Sequence, residues 1–483
     1  MDSLLLLAAD HGEEIDSWVT GLFGIILVAM VASLALEEKI HAKKSIIVGT
    51  FAGLCLILGT VLHLLHFTPF SRVHEVGEAG EMHPFGKLIE LPIYIPAIDW
   101  GVITIILGAS LFVEVTSRSG VFTWMAIKLT KKSGGDPWKL LVAYGCLTVV
   151  FSAVLNNVTA MIIVGSLTTV SLKKLNKTDM LLGFLLVEGL LTNIGGLLTL
   201  ISSVPNIIVG KTAGISFVSF FYYAAPYVVL ATIATLIMAR YRFGITGLKT
   251  EEEREESRRM VAGFDENENV PSHRFFWFSV AVLIAFIGGM AGQSALPFGL
   301  AKLEMGFIAL FFAGIVLLAY KAEVDKFYQT VDWDLLGFFA ALFVVIHVME
   351  DAGVLGAIGG GISKLLELPT HVDSGVLLTV SALASSVTDN IPLAAVLASI
   401  LDTLKESEGF SSAYWWCVIF GANLGGNITP IGSASTVVAA TIIHRQKLKL
   451  GFMDFVKIAV PFAAVQLVIA VAYVLAVSMI FPG

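Results

Sequence analysis

Apolar runs about as long as a bilayer is thick follow one another along almost the whole chain. The clearest of them are 18–36, 45–66, 99–116, 217–239, 274–290, 304–320 and 453–481. An α-helix needs about 20 apolar residues to cross the hydrocarbon core, so each run predicts a transmembrane helix. Charged residues make up only 14% of the 483 residues, against about 25% in soluble domains. The sequence therefore predicts an all-α polytopic protein whose main partner is the lipid bilayer.

Several functional classes are disfavoured by the same sequence. The net charge of −8 does not suggest a nucleic-acid partner, because such surfaces are basic. The chain contains neither a P-loop nor an HExxH motif, and its histidines lack metal-ligand spacing, so we expect neither an enzyme nor a bound cofactor. Its three cysteines form no CxxC and predict no disulfide framework.

Two polar interruptions of the apolar sequence are nearly the same. Residues 193–206 read NIGGLLTLISSVPN, and residues 423–436 read NLGGNITPIGSAST. Polar and helix-breaking residues are tolerated at membrane depth only where protein or a water-filled cavity surrounds them. Matched interruptions in two halves of a chain are typical of secondary transporters, which bind their solute where the interrupted helices meet.

The internal repeat extends upstream of these interruptions. Asp99 and Asp332 each precede a Trp, and the sequence offset between them equals the offset between Asn157 and Asn390. A short slip in this alignment then brings Asn193 onto Asn423. The offset is regular enough to predict that the two halves share one fold.

Basic residues in the short loops predict the orientation, because such loops stay in the cytoplasm. The segment 67–98 is poor in Lys and Arg and is predicted to be external. Lys and Arg mark the cytoplasmic loops at 39–44, 118–132, 173–177, 240–274, 321–326 and 445–449. Asp99 then enters from outside and Asp332 from the cytoplasm, so the repeats are inverted and both termini lie outside. The expected location is the inner membrane of a bacterium.

These observations divide the chain into six segments. The linker among them carries eight carboxylates and four basic residues within 249–268, so we interpret it as solvated. The segments are N-terminal transmembrane helices with an external loop (1–98), the first inverted repeat (99–240), a charged cytoplasmic linker (241–273), connecting scaffold helices (274–330), the second inverted repeat (331–445) and a C-terminal transmembrane helix (446–483).

Each repeat also predicts a re-entrant helical hairpin with a polar tip. The tip residues are Asn156, Asn157 and Thr159 in the first repeat, and Thr388, Asp389 and Asn390 in the second. Amide and hydroxyl oxygens and freed carbonyls suit Na⁺, whereas helix N-termini at the same tips suit an anion. The same residue types also cap ordinary helices. The tips alone therefore leave a small inorganic cation and a small anion open.

The two polar interruptions predict two broken transmembrane helices. Gly-Gly weakens a helix and lets backbone or ligand approach closely. The alternative is that Gly and Ser serve close helix packing, which does not explain the repeated Asn. The candidate binding residues here are Thr192, Asn193, Gly195, Gly196, Thr199, Ser202 and Asn206 in the first repeat, and Asn423, Gly425, Gly426, Asn427, Thr429 and Ser433 in the second.

Two carboxylates are candidates for coupling a proton to transport. Asp389 is the only acid at either tip, and an acid at membrane depth is a functional candidate by default. Glu188 lies about one turn before the first broken segment. The alternatives are a structural Asp389 held by hydrogen bonds and a Glu188 that packs against a helix terminus.

With these motifs in view, the chain resembles the ion transporter superfamily, in particular the group of arsenite permeases, the melanosomal P protein and NhaD-type sodium/proton antiporters. The resemblance covers roughly 95–445 and is carried by FSAVLNNVT, LTNIGGLLTLISSVPN, SSVTDNIP and GANLGGNITPIGSAST. It implies a homodimer with a scaffold and a mobile helix set that moves like an elevator. It also implies that the hairpin tips and broken helices bind the ion or substrate.

The chain departs from the family pattern at two places. Asn156-Asn157 stands where the family often has Asp-Asn, and the segment 202–206 reads SSVPN where the family usually has GDPPN. A carboxylate is thus missing twice, so the resemblance does not fix the coupling stoichiometry.

Three hypotheses follow from the sequence. The first is a sodium/proton antiporter that binds Na⁺ at the tip and broken-helix residues and exchanges a proton at Asp389. The second is a permease for arsenite, citrate, a dicarboxylate or a related anion; no Arg or Lys lies in the four motifs to neutralise a dianion, which favours a cation or a neutral species. The third is a membrane scaffold or a channel without coupled transport.

Overall fold

The fold is almost entirely helical in a computed structural model of the chain. The described residues are 15–65, 92, 94–320, 328–329, 331–369, 372–406 and 410–480, with eight strand residues between 69 and 90. These form two antiparallel pairs, β1 (Pro69–Phe70) with β4 (Ile89–Glu90) and β2 (Glu75–Val76) with β3 (Met82–His83). Much of the predicted external loop 67–98 and the basic residues at 321–326 lie outside the described residues.

The first half of the chain contains the helices that lead to and surround the first broken helix. Their bounds are α1 Ser17–Ala35, α2 Glu37–Ile40, α3 Lys44–Val61, α4 Trp100–Ser117, α5 Val121–Ser133, α6 Pro137–Val154, α7 Asn157–Lys174, α8 Leu181–Gly195, α9 Val204–Thr212 and α10 Phe217–Phe243.

The linker helix α11 spans Glu251–Ala262, and the second half of the chain follows it. The bounds there are α12 His273–Gly292, α13 Glu304–Ala319, α14 Trp333–Asp351, α15 Val354–Leu366, α16 Val372–Ser385, α17 Asn390–Leu404, α18 Ala413–Gly425, α19 Ala434–Arg445 and α20 Phe452–Ile480.

Ten helices within the described residues are long and apolar enough to cross a membrane. All seven runs singled out in the sequence are among them, and the additional ones are Pro137–Val154, Thr178–Gly195 and Trp333–Asp351. The all-α polytopic prediction is therefore confirmed. Both predicted helical hairpins (α6–α7 and α16–α17) and both broken helices (α8/α9 and α18/α19) are present.

The repeat covers more of the chain than the sequence motifs indicate. Leaving out the short α2, the order of helices from α1 to α10 recurs from α12 to α20. Pairing also crosses between the halves, since α3 packs on α14 and α4 packs on α13. The last helix of each half is long and contains an internal proline, Pro226 in α10 and Pro461 in α20.

The chain forms two compact units, one of residues 1–99 with 333–363 and one of residues 100–332 with 364–483. Within the first, Asp334 at the start of α14 accepts hydrogen bonds from the backbone and hydroxyl of Ser45. The second contains both hairpins and both broken helices, so every tip and broken-helix residue considered below lies in that one unit.

The charged linker contains a structured helix that is docked within the second unit. Thr250 and Glu253 form a capping box at the start of α11. Ser257 and Val261 are its buried residues, and α11 contacts α5. Beyond it, Glu266 forms an ion pair with Lys131. The charged face of α11 is exposed, as expected of a linker, whereas its inner face packs close to the base of the first hairpin.

Candidate substrate site at the two broken helices

Each broken helix is interrupted where its Gly-Gly pair ends. Helix α8 ends at Gly195, and α9 begins only at Val204, with Pro205 in its first turn where the missing N–H costs nothing. Helix α18 ends at Gly425, and α19 begins at Ala434. Each break exposes carbonyl groups at membrane depth that need new hydrogen-bond donors.

In the first break, Asn206 and Ser202 supply those donors. The Asn206 amide donates to the carbonyls of Gly196 and Thr199 at 2.6 and 2.9 Å. The Ser202 hydroxyl lies 2.6 and 2.7 Å from the same two oxygens. In this conformation, both side chains are therefore occupied in hydrogen bonds to the carbonyl groups of the break.

In the second break, the hydroxyl of Thr436 lies 3.1 Å from the carbonyl of Pro430 and 2.7 Å from that of Ser433. Thr436 is the repeat equivalent of Asn206, because both close the matched segments that begin at Asn193 and Asn423. A hydroxyl in the second repeat thus satisfies carbonyl groups of its break, as an amide does in the first repeat.

Each hairpin is joined to the broken helix of its own repeat by the same two hydrogen bonds. Ser152 in α6 donates to the carbonyl of Thr192 at 2.6 Å, and Ser385 in α16 donates to that of Ala422 at 2.6 Å. Within the breaks, Thr199 donates to the carbonyl of Ala153, and Thr429 to that of Ser386. Donors and acceptors correspond under the same alignment of the two repeats that the sequence motifs gave.

The second glycine of one pair marks a close contact with a hairpin tip. A methyl group on Gly196 would lie 2.6 Å from the Asn157 side-chain oxygen. One on Gly426 would lie 2.8 Å from the Ser433 Cβ and 3.2 Å from the Asn193 amide nitrogen. Both glycines therefore leave room for polar side chains to approach the break.

Five asparagines, Asn157, Asn193, Asn206, Asn423 and Asn427, form what we call the asparagine cluster. In one part of it, the Asn193 amide donates to Asn427 Oδ1 at 2.8 Å and to the Ser433 hydroxyl at 3.0 Å. The Asn157 amide approaches Asn193 Oδ1 at 3.4 Å. The cluster thus joins a hairpin tip of the first repeat to the broken helix of the second.

In its other part, the Asn423 amide donates to Asn206 Oδ1 at 2.9 Å, and Ser203 donates to Asn423 Oδ1 at 2.7 Å. The pair Ser203–Asn423 is the repeat equivalent of Ser433–Asn193. Asn193, Asn206, Asn423 and Asn427 are fully buried. Each repeat therefore places its asparagine against a serine of the other repeat.

The structure adds polar residues that the sequence analysis did not select, among them Ser203, Ser385 and Thr436 described above. Gln466 in α20 accepts from the Asn427 amide at 2.8 Å and donates to the Thr235 hydroxyl of α10 at 3.0 Å. Ser152 lies 2.6 Å from Asn157 Oδ1. The signal for Gln466 was available, since it is a lone amide inside the apolar run 453–481.

The hairpin tips also cap their return helices. Asn156 accepts from the Thr159 backbone N–H at 2.8 Å at the start of α7. Asp389 accepts from the Ile391 N–H at 3.1 Å at the start of α17, and it is half-buried. Asn157, the remaining tip residue of the first repeat apart from Thr159, is itself a member of the asparagine cluster. Thr388 and Asn390 flank Asp389 and are likewise half-buried.

Glu188 lies in a different environment. Its side chain is fully buried on α8, which packs against α7 and α19. The Thr168 hydroxyl of α7 donates to its Oε1 at 2.5 Å. Its Oε2 has no hydrogen-bond partner among the described residues. It is therefore a buried carboxyl with a single polar contact.

No Lys or Arg side chain of the described chain forms a hydrogen bond to the asparagine cluster or an ion pair with Glu188. The cluster presents amide and hydroxyl oxygens together with N–H donors. Besides these amide donors, the N-termini of α7, α9 and α19 lie at residues of the cluster or bonded to it and are electropositive.

Comparison with known sequences decides the family. The sequence model of the family described as "Citrate transporter" matches residues 4–419, most of the chain. The chain belongs to the citrate transporter family. This citrate transporter family member is therefore a membrane transporter and not an enzyme.

Relatives and a solved structure agree with this assignment. An uncharacterized transporter of Mycobacterium bovis is 28% identical over 78% of this chain and 86% of its own. The human P protein is 24% identical over 93% of this chain, which spans 62% of that protein. The crystal structure of the YdaH transporter of Alcanivorax borkumensis has the same fold, with a TM-score of 0.59 at 16% identity, covering 91% of this chain and 99% of that one. The resemblance to the ion transporter superfamily is confirmed.

Proposed function

We propose that this protein is a sodium/proton antiporter that binds Na⁺ at the asparagine cluster and Asp389. The observation that supports this most is an oxygen-rich, largely buried cluster between two broken helices without a Lys or Arg side chain. Na⁺ is a hard cation that amide, hydroxyl, carbonyl and carboxylate oxygens bind well. The transported ion is the substrate, and we propose no resident cofactor.

The serine–asparagine pairs offer a simple way to open the cluster to an ion. Each pair places two oxygens side by side, held together by one hydroxyl hydrogen. Ser152 lies 2.6 Å from both Asn157 Oδ1 and the carbonyl of Thr192. The hydroxyl has one hydrogen for these two acceptors, and when it donates to Thr192, Asn157 Oδ1 can bind a cation. The same reasoning applies to Ser435, whose hydroxyl lies 3.0 Å from both Asn193 Oδ1 and the Ser433 hydroxyl.

Elevator-type alternating access is consistent with the packing of this region. Helix α7 of the first hairpin packs on α19 of the second repeat, and α17 of the second hairpin packs on α9 of the first. Hairpins and broken helices are thus interleaved and would move as one body. We carry over from the resemblance the homodimer and from the loop charges an orientation with both termini outside a bacterial inner membrane.

A carboxylate permease, for citrate or a related anion, is the second candidate. The description of the family favours it, and the helix N-termini around the cluster suit an anion. The lack of a Lys or Arg in the cluster argues against it, because a di- or trianion would be left without a neutralising side chain.

Purified protein in liposomes carrying a pH gradient tests the proposal. Addition of Na⁺ should collapse the gradient, whereas arsenite and citrate should not; Li⁺ and K⁺ define the cation selectivity. Asp389→Asn should abolish the Na⁺ response, because it removes the only charge at the tips. Asp402→Asn is the matched control in the same helix, since Asp402 is partly exposed near the end of α17 and pairs with Lys405 at 2.8 Å.

Two results would contradict the proposal. A wild-type protein that gives no Na⁺-dependent collapse is not this antiporter, and uptake of labelled citrate above empty liposomes would then select the carboxylate permease. An Asp389→Asn protein with an unchanged Na⁺ response would remove Asp389 from the cation site. Ion flux that does not saturate with concentration would indicate a channel.

A further inference from the structure

We infer that the coupled proton is carried by Glu188, in a site separate from the cation site that contains Asp389. This inference rests on the proposed antiport and deepens it by assigning the two charges to two places. It rests on burial, hydrogen bonding and the way the acids are distributed between the repeats.

Glu188 is built to hold a proton in this conformation. It is 0% exposed, its one hydrogen-bond partner is Thr168, and its other oxygen has none within the described part of the chain. An ionised carboxylate without a cation or further donors is very costly to bury. The neutral acid avoids that cost, so the closed arrangement of α7, α8 and α19 favours the protonated form.

The groups on the neighbouring helices do not neutralise Glu188. Tyr144 of α6 is close enough to Glu188 to interact with it electrostatically. Its hydroxyl bonds to Thr130 at 2.5 Å and to Ser171 at 2.7 Å. The other charged side chains on the elements packed around α8, together with His444, lie toward helix ends or in the 3₁₀ turn before it: Lys139 on α6, Lys173 and Lys174 on α7, Asp179 in the turn, Arg240 and Arg242 on α10, and His444 and Arg445 on α19. The remaining titratable groups on these helices are thiols and phenols, which carry no positive charge: Cys146 on α6, Tyr222, Tyr223, Tyr227 and Tyr241 on α10, and Tyr414 and Cys417 on α18.

Asp389 has the opposite environment. It is half-buried and accepts a backbone N–H at the start of α17. Its carboxyl is partly exposed at the hairpin tip, whereas that of Glu188 is enclosed by packed helices, so the two acids are suited to different tasks.

The repeats divide the two acids between them. When the broken helices are aligned on Asn193 and Asn423, Glu188 stands where the second repeat has Val418. When the hairpins are aligned on Asn157 and Asn390, Asp389 stands where the first repeat has Asn156. Each repeat therefore contributes one carboxyl that its counterpart lacks. Two separate charged sites account for this pattern better than one shared site.

Helix α8 connects the two sites. Glu188 precedes Asn193 by five residues, which is a rise of about 7.5 Å along the helix. When Glu188 releases its proton to water on one side, a carboxylate remains, and Na⁺ at the cluster attracts it through a poorly screening interior. When Na⁺ leaves, the carboxyl takes a proton from water on the other side. One proton and one Na⁺ thus exchange without a change in the net charge of the two sites.

Two assays on the same proteoliposomes separate the roles. The first follows Na⁺-dependent collapse of a pH gradient, and the second follows exchange of ²²Na⁺ against unlabelled Na⁺, which needs no net proton movement. Glu188→Gln should lose the first activity and show ²²Na⁺ exchange that no longer depends on pH. Asp389→Asn should lose both. Glu114→Gln is the control for the same chemical change at a carboxyl that pairs with Arg118 at 3.0 Å outside the cluster.

Coupled antiport by Glu188→Gln with the wild-type pH profile would overturn this inference and leave the proposed antiport standing. Absence of both activities in the wild type would instead refute the antiport itself. If Glu188→Gln does not fold, Thr168→Val decides, because it keeps the acid and removes its only partner. Its antiport profile should shift to higher pH; an unshifted profile would exclude Glu188 as the proton carrier.

Discussion

The first glycine of each Gly-Gly pair lets a broken helix lie directly against its hairpin. A methyl group on Gly195 would lie 2.7 Å from both the Cα and the carbonyl oxygen of Val149 in α6. One on Gly425 would lie 2.6 Å from the Ser385 Cβ and even closer to the carbonyl of Ala382 in α16. Val149 and Ala382 are repeat equivalents, since each precedes the hairpin serine of its own repeat by the same number of positions.

Gly195→Ala and Gly425→Ala should therefore destabilise the protein by about 1–3 kcal/mol each, the usual cost of overpacking. An ordinary carbon contact begins near 3.4 Å, so α8 has to move about 0.7 Å from α6 to accept the methyl group. Backbone atoms cannot swing aside as a flexible side chain does. The same displacement moves Asn193 within the cluster, and transport should fall as well.

Gly288→Ala in α12 is the matched control, because a methyl group there meets nothing within 4 Å. Replacing a helical glycine at an unobstructed site stabilises by up to about 1 kcal/mol. Denaturation of the purified proteins, followed by loss of helix signal, measures all three. A Gly195→Ala or Gly425→Ala protein as stable as Gly288→Ala would refute the argument that these glycines are required by packing.

Two further predictions concern contacts outside the breaks. Gln466→Leu removes the two side-chain hydrogen bonds from α20 to Asn427 and Thr235. Since an interhelical hydrogen bond in a membrane contributes about 0.6–1.7 kcal/mol, the substitution should lower the free energy of unfolding by about 1–3 kcal/mol. A denaturation curve that matches the wild type would contradict this. The hydrogen bond from Lys131 lowers the pKa of Glu266, so linker docking is strengthened above the usual Glu pKa of about 4.3 and weakened as pH falls through the lowered value. Protection against hydrogen exchange over 251–266, corrected for the intrinsic exchange rate, should therefore be lower near pH 3 than at about pH 7, and equal protection at both would exclude the ion pair as a docking contact.

The chemical difference between the repeats is the main functional result. Their helices follow the same order, and two hydrogen bonds from hairpin to broken helix correspond, such as Ser152 to Thr192 and Ser385 to Ala422. Their acids are not equivalent, because Glu188 and Asp389 have Val418 and Asn156 as counterparts. In the antiport proposed above, the repeat would supply the two-sided architecture, and the substitutions between its halves would supply the asymmetry that coupled transport requires.

Hydropathy and residue order alone predicted the spanning helices and both breaks. The bilayer imposes a minimum apolar length, and it tolerates Gly, Pro and Asn at depth only where the backbone is satisfied by protein or water. These are one-dimensional constraints. They were sufficient for the fold class and the hairpin tips, whereas the family was predicted from the resemblance of four motifs.

Only the tertiary structure shows which polar groups contact each other and which of the two acids is shielded from solvent. A helix that is apolar on most sides has no periodicity to show which face is covered, so the partners of Gln466 and the depth of Glu188 were not predictable from spacing. The pairing of Asn193 with Ser433 joins residues 240 positions apart, and the docking of α11 depends on a surface formed by α5. In the sequence, Asp389 and Glu188 are both single acids within apolar segments. The protein packed around each of them is what distinguishes them.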